Sequence, residues 1–211
     1  MASKVNGTWV LTSTEEFLKK ADQISEGLLA MGLKKGDMIG MMSANRPEWN
    51  IMDIGMLQTG VVNVPVYTTL SESEIVFILN DCSAKYMFAG DAAMYTKINN
   101  IRSKVPSLIE VYTFDQVSGS KCWTEIIEKG KANSNPGRLQ ATKDSIVPND
   151  LASLLYTSGT TGTPKGVMLS HNNIVSNILA SEHLCPVGKE NWALSFLPLC
   201  HSYERMLTYM Y

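Results

Sequence analysis

The chain has 211 residues, which corresponds to one large domain or one and a half at about 150 residues per domain. Hydrophobic residues make up 45% of the chain and charged residues 18%, a globular composition that argues against disorder. The net charge of −2 leaves no basic excess for a nucleic-acid backbone, so we expect no nucleic-acid partner, and any phosphate contact has to come from a local site.

Hydrophobic periodicity predicts helices that alternate with short apolar strands along the first 130 residues. Ser13 and Glu16 stand at capping-box spacing, and apolar residues then recur at helical intervals up to Met31. Ser71 and Glu74 repeat the same pattern before another helix. The predicted order is helix 13–31, strand 38–42, helix 47–58, strand 61–66, helix 71–81, strand 86–89, helix 91–104, strand 108–114 and helix 123–129.

Continuous apolar strands that alternate with helices are typical of an α/β fold, with a largely parallel sheet flanked by helices on both sides. The stretch 130–150 is rich in Asn, Ser, Lys, Pro and Gly, and we interpret it as a surface linker or long loop. The sequence therefore predicts an α/β subdomain over residues 1–150 that ends in this linker.

The last sixty residues predict the start of a second subdomain over residues 151–211. A strand is expected at 151–156, a helix from about Ser170, and a strand at 193–197 that runs into a further helix. No cap or polar tail closes this last pattern, so we expect the second subdomain to be incomplete.

The cysteines and histidines do not predict a metal site. No C-x-x-C pair is present, which argues against a zinc ribbon or a redox motif and favours reduced thiols in a cytoplasmic protein. The sequence also has no secretory signal and no membrane-spanning run, so we expect no transmembrane segment and leave peripheral membrane contact open. The cysteines are Cys82, Cys122, Cys185 and Cys200, and the histidines are His171, His183 and His201.

The segment Tyr156–Gly166 carries three glycines, five Ser or Thr hydroxyl side chains and one lysine in eleven positions. Glycines let the backbone approach a ligand closely, and successive backbone N–H groups can then surround an anion. The hydroxyls and Lys165 add donors and positive charge. The segment follows a predicted strand and precedes a predicted helix, whose N-terminus also favours an anion. We interpret it as a phosphate-binding loop, against the alternative of a flexible surface loop.

Two common nucleotide-binding patterns do not fit this segment. In the P-loop pattern, Pro164 stands where a glycine is required, and Gly166 rather than Ser or Thr follows Lys165. The dinucleotide pattern G-x-G-x-x-G is absent because no two glycines are two positions apart.

At these residues the chain resembles the adenylate-forming enzymes, the superfamily of acyl-CoA synthetases, peptide-synthetase adenylation modules and luciferases. The run T-S-G-T-T-G-T-P-K-G-V is similar to the phosphate-binding signature of that family. Asn45–Trp49 and Val64–Ser71 resemble two earlier segments of the family, and Leu197–Arg205 resembles a segment of its long-chain fatty-acyl branch.

The resemblance implies an N-terminal part of a long-chain fatty-acid–CoA ligase. Such an enzyme activates a fatty acid with ATP and Mg²⁺, forms an acyl-adenylate and pyrophosphate, and transfers the acyl group to the thiol of coenzyme A. The adenine contacts and the reacting lysine of the family would lie further along a longer chain. We therefore expect no complete catalytic set in these residues and no turnover by them alone.

The resemblance also assigns individual residues. We expect His201 to shape the acyl pocket and to make a polar contact there, the alternative being a helix-start histidine that bonds to backbone. Glu204 and Arg205 are adjacent and do not face each other on a helix, so we expect them to be solvated or paired elsewhere. A hydroxyl of Thr160 or Thr161 is a candidate Mg²⁺ ligand. The expected phosphate-binding residues are Thr157, Ser158, Gly159, Thr160, Thr161, Gly162 and Lys165.

Two alternatives stay open at this point. The chain could belong to another adenylate-forming ligase, an aryl-CoA ligase or a peptide-synthetase adenylation module, since the phosphate loop would serve either. It could also be a short protein that binds a nucleotide without catalysis. In addition, the apolar pattern of the last helix predicts self-association of the 211-residue chain.

Overall fold

The computed structural model describes residues 1–5, 7–157, 164–184, 188 and 190–210. Its helices and strands, in chain order, are β1 (Ala2–Val5), β2 (Thr8–Leu11), α1 (Thr14–Ala30), β3 (Met38–Met42), α2 (Pro47–Leu57), β4 (Val62–Pro65), α3 (Glu72–Asp81), β5 (Tyr86–Ala89), α4 (Ala92–Ile101), β6 (Glu110–Thr113), β7 (Lys121–Cys122), α5 (Thr124–Ala132), α6 (Pro136–Asp144), β8 (Leu151–Thr157), β9 (Lys165–Ser170), α7 (His171–Ser181) and α8 (Ser202–Met210). Short 3₁₀ turns follow α4 and α7.

The expected α/β fold with a largely parallel sheet is confirmed. Among the described residues the main sheet has seven strands in the order β7-β6-β5-β3-β4-β8-β9. Neighbours pair in parallel except β8 and β9, which are antiparallel at one edge. Strands β1 and β2, which the sequence analysis did not predict, form a separate hairpin.

Helices cover both faces of the sheet because each strand alternates its apolar side chains between two cores. Ile39 and Phe88 pack with α1, α2 and α5 in one core. Val64 and Met87 pack with α3 and α4 in the other. Asn63 lies between Val62 and Val64 and therefore faces the same side as α2, where it bonds to that helix.

The predicted linker at 130–150 is wrong, because α6 forms within it. Asn135 caps this helix by accepting a bond from the backbone N–H of Arg138 at 3.0 Å, and Pro136 occupies the first turn. Leu139 is buried, and Arg138 reaches the buried Glu26 of α1 at 2.8 Å. The composition of the segment suggested a loop, whereas the Asn-Pro pair is a helix-start signal.

Two more differences concern the last sixty residues. Residues 165–170 form β9, which was not predicted, and the predicted strand 193–197 is an exposed segment without regular structure. Strand β8 joins the same sheet as β4 through the pair Asn63 and Ser153. The division into subdomains at residue 150 stays a prediction.

Candidate functional site

The two ends of the predicted phosphate-binding loop meet at the edge of the sheet. Thr157 ends β8, Lys165 begins β9, and the two residues are direct partners in the antiparallel register. Side chains of directly opposed residues project to the same face of a sheet, so Thr157 and Lys165 present their hydroxyl and ammonium groups on one face. Both residues are exposed. Within the described part of the chain, Lys165 forms no ion pair, which leaves its charge available to an anion.

Most of the predicted loop falls between these ends. Ser158, Gly159, Thr160, Thr161 and Gly162 lie outside the described residues, and their predicted role in phosphate binding stays a prediction.

The helix expected from about Ser170 is confirmed as α7, but its N-terminus does not lie directly after the loop. Strand β9 separates the loop from α7, which begins at His171. The side chain of Ser170 accepts a bond from the backbone N–H of Asn173 at 3.2 Å, so one of the free N–H groups of α7 is already satisfied by the chain itself. Any anion held by this loop depends on loop N–H groups, hydroxyls and Lys165.

His201 stands immediately before α8 and is exposed. Its Nδ1 accepts a bond from the backbone N–H of Tyr203 at 3.2 Å. This bond requires Nδ1 to be unprotonated, so the neutral ring carries its proton on Nε2 and presents a donor to its surroundings. The backbone-bonded alternative is therefore observed, and it leaves the outer nitrogen free for a polar contact.

Cys200, beside His201, is buried and carries no nucleophile at neutral pH. Burial raises the pKa of its thiol to about 11, so the thiol stays protonated.

Arg205 is paired elsewhere, one of the two outcomes expected for it, and it is the centre of a buried polar network whose other members were not predicted. Asp53 of α2 is fully buried and Arg205 is 3% exposed. The guanidinium donates to both carboxylate oxygens, at 2.9 Å from Nε to Oδ2 and 2.5 Å from Nη2 to Oδ1. Its Nη1 donates to Ser153 Oγ of β8 at 2.6 Å. Asn63 of β4 donates to Asp53 Oδ1 at 2.7 Å, and the Tyr209 hydroxyl also bonds to Asp53.

The electrostatics of this network favour charged Arg205 and neutral Tyr209. Burial works to lower the pKa of Arg205, but the charge of Asp53, together with hydrogen bonds to Asp53 and Tyr209, outweighs it and raises that pKa. Burial, with the nearby Asp53 charge, raises the pKa of Tyr209 well above its ordinary value. The network therefore favours a charged guanidinium beside a neutral phenol.

One sequence signal could have located Asp53. It is the one acidic residue within the otherwise apolar or amide stretch Asn50–Leu57 of a helix that the apolar strands must bury. A carboxylate on a buried helix face requires a cationic or multiply bonded partner, since an isolated buried charge is very costly. The identity of that partner, 152 residues away, was not visible in the sequence.

The described residues offer no metal centre and no membrane span. No group of three or more His, Cys, Asp or Glu side chains comes close enough to hold a metal ion in the described ranges. In the same part of the chain, no helix combines the length and the apolar character needed to cross a bilayer.

This chain is similar to known proteins over most of its length. Long-chain-fatty-acid–CoA ligase FadD15 of Mycobacterium bovis is 33% identical over 208 residues, which cover 97% of this chain and 34% of that protein. The chain thus spans about a third of the length of this relative.

Solved structures with the same fold extend the comparison. The long-chain-fatty-acid–CoA ligase FadD1 of Archaeoglobus fulgidus matches with a TM-score of 0.77 at 22% identity, over 97% of this chain and 40% of that one. ATP-bound MatB of Rhodopseudomonas palustris matches with a TM-score of 0.75 at 25% identity, over 97% of this chain and 38% of that one. The family described as AMP-binding enzyme matches residues 3–211. With nearly its whole length matched, this chain belongs to the AMP-binding enzyme family.

Proposed function

We propose that this chain is the phosphate-binding N-terminal part of a ligase that activates a long-chain fatty acid with ATP and transfers it to coenzyme A. The observation that carries the proposal is the hairpin that brings Thr157 and Lys165 together at the ends of a glycine- and hydroxyl-rich loop, in a chain of the AMP-binding family. The fatty-acid class rests on the relative named above as a long-chain-fatty-acid–CoA ligase and on the segment Leu197–Arg205.

The donors at the hairpin fit the phosphates of ATP. An ammonium group and a hydroxyl, both exposed and on one face, are the chemistry that a polyphosphate requires. In the proposed reaction, a carboxylate oxygen of the fatty acid attacks the α-phosphorus of ATP. The bond from that phosphorus to the bridging oxygen breaks, and pyrophosphate leaves with the electron pair. Thr157 and Lys165, with the loop residues between them, would stabilise this developing charge and hold the phosphates in line.

His201 contributes a hydrogen-bond donor in the proposed acyl pocket. Because its Nδ1 is occupied by the N–H of Tyr203, its Nε2–H can donate to a carboxylate or acyl oxygen. This arrangement suits orientation of the substrate rather than removal of a proton. In the second half of the reaction, the sulfur of coenzyme A attacks the acyl carbon and AMP leaves.

Thr160 and Thr161, the candidate Mg²⁺ ligands, lie outside the described residues, and a Mg²⁺ ion held by one of their hydroxyls is part of the proposal. A cytoplasmic location belongs to the same proposal, and it is supported by Cys82, Cys122 and Cys200, which are free thiols.

A photoreactive ATP analogue that carries its reactive group on the γ-phosphate tests the proposal. We expect light to attach the analogue to the segment around Thr157–Lys165, with pyrophosphate and ATP competing and AMP competing poorly. Labelling elsewhere, or competition by AMP alone, would contradict the assignment of this hairpin to the outer phosphates.

A second assay tests the expected incompleteness of the chain. Palmitate-dependent exchange of pyrophosphate into ATP should be absent from the 211 residues alone, because no complete catalytic set is expected within them. An exchange signal from this chain would overturn that expectation while leaving the ligase class in place.

A further inference from the structure

We propose that Asn45 and Asp53 are positioning residues, which fix His201 by holding the segment 195–205 at both ends. The inference deepens the proposed function and rests on it, because His201 matters only if it contacts the acyl substrate. The proposal stands on side-chain contacts between two stretches of chain about 150 residues apart.

The first anchor is the amide of Asn45, which lies in the bend between β3 and α2. Its Nδ2 donates to the carbonyl of Leu197 at 2.7 Å and to Ser195 Oγ at 3.0 Å. Its Oδ1 accepts a bond from the backbone N–H of Leu199 at 3.0 Å. One side chain therefore satisfies backbone groups on both sides of Pro198, in a segment that has no regular structure of its own.

The second anchor is the pair of Asp53 and Arg205. It joins α2 to α8 one helical turn after His201, through two bonds to one carboxylate. Ser153 extends the anchor to β8, the strand that leads to Thr157 and the phosphate-binding loop. The position of α8 is thereby tied to the strand that carries the proposed phosphate site.

His201 itself has only local bonds among the described residues. Its backbone N–H donates to Pro198, its carbonyl accepts from Arg205, and its ring accepts from Tyr203. Nothing in this set connects His201 directly to the sheet. Its location relative to the sheet is therefore set by its neighbours, with Asn45 and the buried Leu199 on one side and Asp53 on the other.

Both anchors come from one rigid part of the fold. Asn45 and Asp53 flank the first two turns of α2, where Trp49 and Met52 are fully buried against the first core. The ring of Trp49 also faces the guanidinium of Arg205, at 5.7 Å from centroid to carbon. Motion of the segment 195–205 relative to α2 would break both sets of bonds.

The experiment is NMR of the 211-residue chain with Asn45→Ala. The half-buried Asn45 can be truncated without leaving a buried charge, so this variant should fold. We expect amide exchange at Leu199 and His201 to become about tenfold faster relative to core amides such as Ile39, and the Nδ1 resonance of His201 to shift as the ring loses its fixed contact. Unchanged exchange at these amides and an unchanged His201 ring would overturn the inference.

Two further variants serve as a control and as a partial rescue. Asn80→Ala is the matched control, because Asn80 also donates one side-chain bond to a backbone carbonyl, that of Lys104 at 2.9 Å, far from His201. It should leave the His201 resonances unchanged. Asn45→Asp keeps the acceptor for the Leu199 N–H and loses the donor to Leu197, so it should restore part of the protection at Leu199.

Binding of palmitate, a probe that needs no adenine site, separates the inference from the proposed function. We expect Asn45→Ala to weaken binding of palmitate by about tenfold and Asn80→Ala to leave it unchanged. If the unaltered chain does not bind palmitate, the proposed acyl contact of His201 fails, and the NMR readout alone still decides whether Asn45 positions His201.

Discussion

At the scale of single residues, the ion pair of Asp53 and Arg205 has the largest expected energetic effect. Both side chains are almost completely buried, and the carboxylate also accepts bonds from Asn63 and Tyr209. A buried pair adds little net stability compared with an apolar core, but removal of one partner leaves an uncompensated charge. The two residues therefore depend on each other.

Asp53→Asn should lower the free energy of unfolding by roughly 3–5 kcal/mol, because Arg205 then remains buried without its counter-charge. Urea denaturation measures this loss. Glu128→Gln, which removes an exposed i,i+3 pair with Lys131, is the control and should change stability by less than about 1 kcal/mol. Equal effects of the two substitutions would contradict the account of the buried network.

The free energy of unfolding should depend on pH through His171. Burial lowers its pKa from the ordinary value of 6.5, although the charges of Asp150 and Asp53 work in the opposite direction and those of Arg205 and Lys35 add to the lowering. The unfolded chain therefore binds a proton at His171 before the folded chain does. Stability from this residue is complete above about pH 6.5 and declines as the pH falls through the lowered pKa.

Unfolding free energies between pH 7.5 and 5, measured in urea, test this effect. His171→Gln should flatten the decline on acidification, whereas His183→Gln, at an exposed position, should keep it. The prediction fails if the two variants show the same slope as the unaltered chain.

Some features of the candidate site are visible in the sequence and others are not, for a physical reason. Thr157 and Lys165 lie in a contiguous segment whose composition indicates anion binding, so a local pattern is enough to propose that role, which stays a prediction. Asp53 and Arg205 form a pair only in the folded chain, because 152 positions separate them in the sequence. Only the fold brings such groups together, and charge alone does not reveal which buried acid meets which base.

At the scale of elements, glycines set the close crossing of α1 and α5. A Cβ at Gly130 would lie 1.9 Å from the carbonyl oxygen of Gln23, and one at Gly27 would lie 2.2 Å from that of Ile126. Both obstacles are backbone atoms that cannot rotate away. The two helices therefore approach each other only because neither has a side chain at the contact.

Gly130→Ala should destabilise the chain by roughly 2–3 kcal/mol through forced separation of α1 and α5. Gly137→Ala, in α6, is the opposite case, since the nearest atom to its Cβ would be 3.6 Å away. It should stabilise the chain by about 0.4–1 kcal/mol by restricting the unfolded state. Thermal or urea unfolding of both variants checks the signs, and a loss of stability from both would contradict this account.

Elements with strong local signals were predicted well, and those set by tertiary contact were not. Ser71 and Glu74 form the complete predicted capping box of α3, with Ser71 N–H donating to Glu74 at 2.8 Å. At α1 the Ser13 cap is present, but Glu16 pairs with Lys20 instead of closing the box. Strand β9 was not predicted, because its sequence does not alternate apolar and polar residues. The strand is held by its pairing with β8.

At the scale of the whole molecule, large exposed apolar side chains concentrate in the part of the chain after the loop. Strand β9 is an edge strand, and an unpaired apolar edge is a template for association. The most exposed examples there are Met168 at 68%, Leu184 at 71%, Trp192 at 82%, Leu194 at 77% and Phe196 at 73%.

We therefore expect the 211-residue chain to self-associate at high concentration, as measured by sedimentation velocity. Met168→Lys should weaken this association by placing a charge on the open edge of β9. Leu18→Lys, at a position that is 49% exposed on α1, is the matched control and should have little effect. A monomer at all concentrations, or equal effects of both variants, would count against association through this edge.

The central claim is that the hairpin of β8 and β9 holds the outer phosphates of ATP. Calorimetric titration of the chain with inorganic pyrophosphate tests it most directly, because this probe needs no adenine site. We expect saturable binding that Lys165→Ala weakens by about tenfold and that Lys129→Ala, at an exposed lysine of α5, leaves unchanged. Absence of saturable binding, or equal binding by the Lys165 and Lys129 variants, would contradict it.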